Sequence, residues 1–345
     1  MPRTYAMNPK MPEPGQAKAR KFYDLNGLRI AVSAPSDALA GFWDAFLAPL
    51  ATAQDLSAPS WNVSIRVDDE LPEMPSGEVL YDGELPEKLP VVIARNAGTM
   101  ILSVPDQLLI VTRSEDKTAE ITALKGCETV LRGTASIHAI ADIIQSAGQF
   151  FLHAACLLDP SSDDALLIFA PSGTGKTTTS LALARAGWRL MGDDVTILNV
   201  ADGDPKVWAL PRWLNVHRNT EALMPWLSEA TKPWDTRDEQ SVPLVNIASL
   251  IHVAQPRPHP CRTLVMLEPP NRQRHELGPI DPSEALLRIL SDNLRIAPQG
   301  MAEREMNYLD AITTLIGKTQ IIRLSVGPDI DSIGRELASA CHRKT

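Results

Sequence analysis

Eight residues carry the clearest chemistry in the chain: Ala170-Pro-Ser-Gly-Thr-Gly-Lys-Thr177. Gly173 and Gly175 let backbone N–H groups turn inward around phosphate oxygens, a conformation that a side chain would obstruct. Lys176 is spaced to reach the β- and γ-phosphates as a point charge, and Thr177 to offer its hydroxyl to Mg²⁺. The loop also has the context it needs. The apolar run Leu166-Leu-Ile-Phe169 reads as a strand before it, and Lys176 to about Ala186, stopped by Gly187, reads as a helix after it. The positive end of that helix would face the anion. The residues expected at a bound nucleotide, ATP, are Ser172, Gly173, Thr174, Gly175, Lys176, Thr177 and Thr178. The plain alternative is a Gly-rich turn with no ligand, and motif and context together weigh against it.

Asp193 and Asp194 follow, sixteen residues beyond Thr177, between the apolar Leu190-Met191 and Val195-Thr-Ile-Leu198. Two acids interrupting a buried strand are costly unless something neutralises them, and a phosphate-bound Mg²⁺ would do so. Phosphoryl transfer needs one carboxylate on the metal and one to take the proton of an attacking hydroxyl. Neighbouring strand residues face opposite ways, so the two acids should do different jobs. A turn with two solvated acids is the bland alternative. His153, in Phe151-Leu-His-Ala-Ala-Cys156, lies on an apolar strand. A histidine there is usually a satisfied core residue.

Taken together, Leu152-His-Ala-Ala-Cys156, the phosphate loop, and Leu181-Ala-Leu-Ala-Arg-Ala-Gly-Trp-Arg-Leu-Met-Gly-Asp-Asp194 resemble the core of the HPr serine kinase family. The match covers about Phe150 to Leu198 and continues more weakly through Leu210-Pro-Arg212 and Gly327-Pro-Asp329. The resemblance implies an α/β catalytic domain like phosphoenolpyruvate carboxykinase and HPr kinase, with a mixed sheet, and transfer of a γ-phosphate to a serine-type hydroxyl of a protein or peptide. It implies Asp193 as general base, Asp194 on Mg²⁺ with Thr177 or paired with His153, and His153 supporting the acidic pair. It also implies a homo-oligomer. The second, glycine-containing signature of the enzymes that also remove phosphate has no counterpart. Pro269-Pro-Asn-Arg-Gln-Arg274 is nearest and does not fit, so phosphorylase activity is not expected. Arg212, Arg218, Arg272 and Arg274 could sense the γ-phosphate, Arg212 first because it follows a strand end.

The elements that must position these residues fall into two regions. Residues 1–21 read as a disordered tail, 22–133 as a smaller, mostly β N-terminal domain, and 134–345 as the catalytic domain. In the first region Asn26-Gly27 marks a hairpin, Asp37 to Ala51 a helix, and Trp61 to Val67, Val91 to Ala94, Gln107 to Thr112 and Glu120 to Leu124 strands. In the second, Ser136 to Gln149, Pro282 to Leu294, Glu303 to Ile316 and Asp329 to Ala340 read as helices. Phe150 to Leu158, Trp188 to Leu198, Lys206 to Leu210, Leu244 to Val253, Arg262 to Leu267 and Thr319 to Val326 read as strands. Trp213, Trp226 and Trp234 frame a Pro-rich stretch for which core packing is the default and a lid over the acceptor the sharper alternative.

The 345 residues are 44% apolar and 22% charged, enough for one or two cores. A net charge of -9 with no basic stripe argues against a nucleic-acid partner. No apolar run approaches the length of a membrane span, and the first residues lack a signal-peptide core. Four scattered cysteines suit reduced thiols in a cytoplasm. His252, His259 and Cys261 match no metal spacing, and no Gly-x-Ser-x-Gly elbow occurs. Two other functions fit the same motif: a small-metabolite kinase, and a non-catalytic ATP-binding regulator.

Overall fold

The first half of the chain is built from alternating strands and the turns between them. The computed structural model describes residues 19–53, 59–85, 87–171, 173–271, 273–294 and 301–341. Strands β1 (Ala19–Leu25) and β2 (Leu28–Ala34) form a hairpin in which Asn26 and Gly27 have φ of 55° and 99°. Such a two-residue turn matches the right-handed strand twist. β1 begins inside the stretch expected to be a tail, and residues 1–18 lie outside those described. The helix expected over Asp37 to Ala51 is broken into α1 (Asp37–Ala40), α2 (Asp44–Leu47) and a 3₁₀ turn. Gly41 falls between the first two and Pro49 in the third, both poor residues for a helix interior.

β3 (Ala51–Thr52), β4 (Trp61–Asp68), β5 (Glu78–Glu84), β6 (Pro90–Asn96), β7 (Thr99–Val104), β8 (Leu108–Arg113) and β9 (Thr118–Leu124) complete one sheet. Its order is β3-β1-β2-β4-β9-β8-β7-β6-β5, antiparallel except where β4 meets β2 and β9. Tyr23, Trp43, Phe46 and Trp61 fill its core. Helix α3 (Thr134–Ser146) follows. The chain divides into two compact units, Met1–Ile143 and Ile144–Thr345, so the division lies inside α3.

In the second unit, nine strands form a mixed sheet. β10 (Gln149–His153), β14 (Val195–Asn199), β15 (Lys206–Ala209), β18 (His259–Glu268), β12 (Ala165–Phe169), β11 (Ala155–Leu158) and β13 (Arg189–Gly192) lie side by side in that order. β20 (Gln320–Ser325) pairs with β18 and β19 (Glu276–Pro279), and β12, β18 and β20 run parallel. β11 and β12 are buried at every position, which is why they read as unbroken apolar runs. A separate two-stranded sheet joins β16 (Trp213–His217) to β17 (Glu239–Pro243).

Helix α4 (Lys176–Arg185) starts at Gly175, whose φ of 100° is left-handed. It ends at Gly187 with a Schellman pair: Trp188 N donates to Leu183 O at 3.1 Å and Gly187 N to Ala184 O at 3.2 Å. Thr179 through Ala184 are buried on all sides, so α4 is clamped rather than laid on a surface. α5 (Arg218–Leu223), α6 (Leu244–Ile247), α7 (Pro282–Asn293), α8 (Glu303–Lys318) and α9 (Ile333–Cys341) complete the unit.

The strand expected at Leu244 to Val253 is instead α6, a turn, and a single bridge between Val253 and Leu190. Its buried residues, Leu244, Ile247 and Ile251, have helical spacing, while Val245 is exposed. Among the described residues no helix is long and apolar enough to cross a membrane.

Gly334 lets α9 press against the end of α4: a Cβ there would lie 2.3 Å from Ala186 Cβ. Gly317, on the exposed side of α8, would meet nothing within 4 Å. We therefore expect Gly334→Ala to cost about 1–3 kcal/mol, and Gly317→Ala to gain about 0.5–1 kcal/mol. In thermal unfolding each kcal/mol reads as roughly 2–4 °C in a unit of this size.

Candidate active site

The site grows out of a fault in a strand ladder. β10 pairs with β14 up to His153↔Val195, and β11 pairs with β13 from Cys156↔Gly192 onward. Between them Ala154 on one strand, and Asp193 and Asp194 on the other, leave the ladder. Their backbone groups need partners elsewhere, and side chains supply two of them. Lys176 Nζ donates to Asp193 O at 2.8 Å. Thr196 Oγ1 donates to Ala154 O at 2.9 Å. Next to the fault, the N–H of His153 donates to Asn293 Oδ1 at 2.5 Å, from the last turn of α7. Tyr308 of α8 fixes the same strand by donating to Phe151 O at 2.7 Å. Gly192 is required at the bend, because a Cβ would lie 2.7 Å from Ala209 Cβ.

The fault brings the sequence-singled residues together. Thr177 Oγ1 donates to Asp193 Oδ2 at 2.5 Å. Lys176 Nζ stands 3.6 Å from Asp194 Oδ1. His153 Nε2 is 3.1 Å from the same oxygen, and Arg212 Nη1 donates to Asp194 Oδ2 at 3.0 Å. The direct contact of Thr177 is with Asp193, the acid expected as general base. Gly173 and Gly175 have φ of 79° and 100°, and a Cβ on either would meet nothing within 4 Å. Backbone conformation rather than crowding by protein atoms therefore selects glycine there.

Thr178 Oγ1 meets Thr220 Oγ1 at 2.9 Å. Thr174 N donates to Pro171 O at 3.1 Å within the loop. His153, Gly173, Gly175, Lys176, Thr177, Thr178, Asp193 and Asp194 all line one cavity of about 520 Å³. Ser172 and Arg272 lie outside the described residues. Arg218 lines the cavity but is held by the loop beyond it, donating to Asp235 O at 2.6 Å with its guanidinium 5.4 Å above the Trp234 ring. Arg274 is not a lining residue, and its backbone crowds Gly327.

The two acids sit in opposite environments. Asp193 is 6% exposed. Burial pushes its pKa up, against the pull of Lys176 and the Thr177 hydrogen bond. Ser180 is close, but its hydroxyl donates to Lys176 O at 2.9 Å, so Asp193 Oδ1 is buried with no hydrogen-bond partner among the described residues. For Asp194, burial also opposes charge, but the hydrogen bond from His153 and the charges of Lys176 and Arg212 outweigh it. Its pKa is held well below the usual carboxylate range. Asp194 is also the more open of the two, its side chain 42% exposed.

Thr220, Asn293 and Tyr308 escaped sequence reasoning. The last two act across 140 and 157 residues, with no local pattern to betray them. β16 had a signal, the alternation in Trp213-Leu-Asn-Val-His217, obscured by the prolines around it. His259 and Cys261 are parts of β18, with His259 Nδ1 3.1 Å from Asp163 O, and no metal-holding cluster of three or more acids, histidines or cysteines occurs among the described residues.

No known protein family matches the chain, and no curated protein does. Among solved structures it is similar to the Hpr(Ser) kinase/phosphatase from Coxiella burnetii, at 16% identity over 41% of this chain and 93% of that one, with a TM-score of 0.22. A score that low supports no statement about this chain.

The raised pKa of Asp193 has a consequence for stability. The folded chain holds that proton to higher pH than the unfolded chain does. Its contribution to stability is fully present below the unfolded pKa and is lost as pH rises through the folded one. Asp193→Asn should therefore raise the Tm of the ligand-free protein near neutral pH by a few degrees, since about 1 kcal/mol moves a domain this size by roughly 2–4 °C. The gain should vanish in acid. Melting curves from pH 4 to pH 8 check this, and a variant less stable than the parent at pH 7 would contradict it.

Proposed function

We propose that the chain is an ATP-dependent phosphotransferase that moves the γ-phosphoryl group to a serine-type hydroxyl of a protein or peptide. The observation that supports this best is that Lys176, Thr177, the Asp193–Asp194 pair and His153 line one cavity at the start of α4, with Arg212 hydrogen-bonded to Asp194. Loop amides from 172 to 178 would cradle the phosphates, and Lys176 would exchange its carbonyl partner for β- and γ-oxygens. The residues fit a Mg²⁺: a hydroxyl and a carboxylate touch, and the second carboxylate oxygen is buried without a partner among the described residues. Held by Thr177 and Asp193, that ion would supply charge neutralisation across the phosphate oxygens.

The contacts favour the opposite division of the two acids from the one expected. Asp193 is enclosed beside Thr177, whereas Asp194 is open, ionised and oriented by His153 and Arg212. In our reading Asp194 accepts the proton of the acceptor hydroxyl. The acceptor oxygen then bonds to the γ-phosphorus, the bond to the β–γ bridging oxygen breaks, and ADP leaves. Because such transition states are loose, position and charge matter more than basicity, so a low pKa at Asp194 is no obstacle. Arg212 would shift from Asp194 toward the transferred group as the proton arrives. Phosphorylase activity forms no part of the reading. A cytoplasmic location, no nucleic-acid or membrane partner and a homo-oligomer belong to the same proposal.

Purified full-length protein should bind Mg²⁺·ATP and phosphorylate serine-containing peptides, with sugars and hydroxy acids giving no turnover. Lys176→Ala should weaken nucleotide binding at least about tenfold. Asp194→Asn should cut turnover by about 10²–10⁴ with binding little changed. Full turnover in Asp194→Asn would remove the proton-accepting role, and failure of the parent to bind Mg²⁺·ATP would end the kinase reading.

A further inference from the structure

The cavity has a second wall that the chemistry above leaves unused. We propose that β16 and β17 form a ribonucleoside subsite in which Glu239 accepts hydrogen bonds from the ribose hydroxyls of the bound nucleotide. The inference rests on the nucleotide reading of the same cavity.

Residues 212 to 220 run along the cavity anchored at both ends. At one end Arg212 meets Asp194 at 3.0 Å, beside Lys176, where a terminal phosphate would sit. At the other, Thr220 meets Thr178 at 2.9 Å, past the metal-side hydroxyl of Thr177. Between them β16 rises about 3.3 Å per residue, which over its length exceeds the reach of the phosphate chain alone. Its alternation is strict. Leu214 and Val216 enter the core cluster, while Trp213, Asn215 and His217 line the cavity. The wall therefore follows a nucleotide from its terminal phosphate toward its sugar.

At the sugar end, strand pairing sets Glu239 opposite His217, with Nε2 and Oε1 3.7 Å apart and both side chains about half exposed. The neighbouring acid, Asp238, also lines the cavity and faces Arg218 Nε at 3.6 Å, but it precedes β17, whereas Glu239 is held in register by its pairing with His217. A carboxylate only accepts, and its two oxygens can take both hydrogens of a vicinal diol. The same pairing reads ribose in dinucleotide sites. The wall is braced to hold that geometry. Gln240 exchanges two hydrogen bonds with the Lys232 backbone, each 2.9 Å, and Ser241 Oγ donates to Asn215 Oδ1 at 3.0 Å.

The test is calorimetric titration of the full chain with Mg²⁺ and three probes: ATP, 2′-deoxy-ATP and inorganic triphosphate. The parent should bind ATP about tenfold more tightly than 2′-deoxy-ATP, the loss of one charge-assisted hydrogen bond. Glu239→Gln and Glu239→Ala should bring ATP to the deoxy level and leave triphosphate binding unchanged. The inference is overturned if the parent does not discriminate, or if either variant keeps the parent's preference. Absence of ATP and triphosphate binding in the parent would overturn the kinase reading and this subsite with it.

Discussion

The antiparallel ladder that joins β10–β11 to β13–β14 cannot run unbroken and still hold Lys176 against it. An intact ladder would spend the Asp193 carbonyl on a strand partner, and Lys176 would have only the loop to rest on. The break at Ala154 and Asp193–Asp194 frees that carbonyl for Lys176 at 2.8 Å. It also turns two consecutive acids out of a sheet that is otherwise apolar. Three backbone groups at the break are met by side chains: the Asp193 carbonyl by Lys176, the Ala154 carbonyl by Thr196 and the His153 N–H by Asn293. The site is thus a repaired defect, and the repairs hold the functional groups in place. Helices α7 and α8, remote in sequence, are needed because they carry two of the clamps.

One consequence is the electrostatic division of the acid pair. The two carboxylates are adjacent in sequence, yet the pKa of one is raised and that of the other lowered, because the bend sends one inward and the other toward Lys176, Arg212 and the His153 hydrogen bond. Here the division is present in the ligand-free chain. It follows from where the chain bends, so it does not wait on a nucleotide to create it.

How much of this was legible depends on range. The phosphate loop, its strand and its helix are local, and they stand where the spacing of Gly173, Gly175, Lys176 and Gly187 puts them. The Asn26-Gly27 hairpin was legible for the same reason: φ preference is a property of the residue. Errors arose where a neighbour overrode a pattern. Pro243 starts a helical turn at Leu244, although the run that follows is rich enough in branched residues to read as strand. Gly41 and Pro49 divide what periodicity joined. At the site, residue types announced the pair of acids, but not which acid would face Thr177. That choice depends on the direction of the bend, fixed by β15 and Gly192 through tertiary packing.

The same packing explains why a costly carboxylate can persist at the centre of the unit. A buried anionic oxygen without a partner is usually removed by mutation or satisfied by a neighbour, because removing it improves stability. Ser180 is close enough to pull the Asp193 pKa down, yet its hydroxyl donates to the Lys176 carbonyl at 2.9 Å. Thr177 supplies one hydrogen bond and no more. The surroundings are therefore rich in polar groups and still leave Oδ1 without a hydrogen-bond partner among the described residues. A core that needed only stability would close this gap with a rotation of one hydroxyl. An unmet acceptor beside this loop is what the proposed cation would complete, and the cost of leaving it unmet would then contribute to binding.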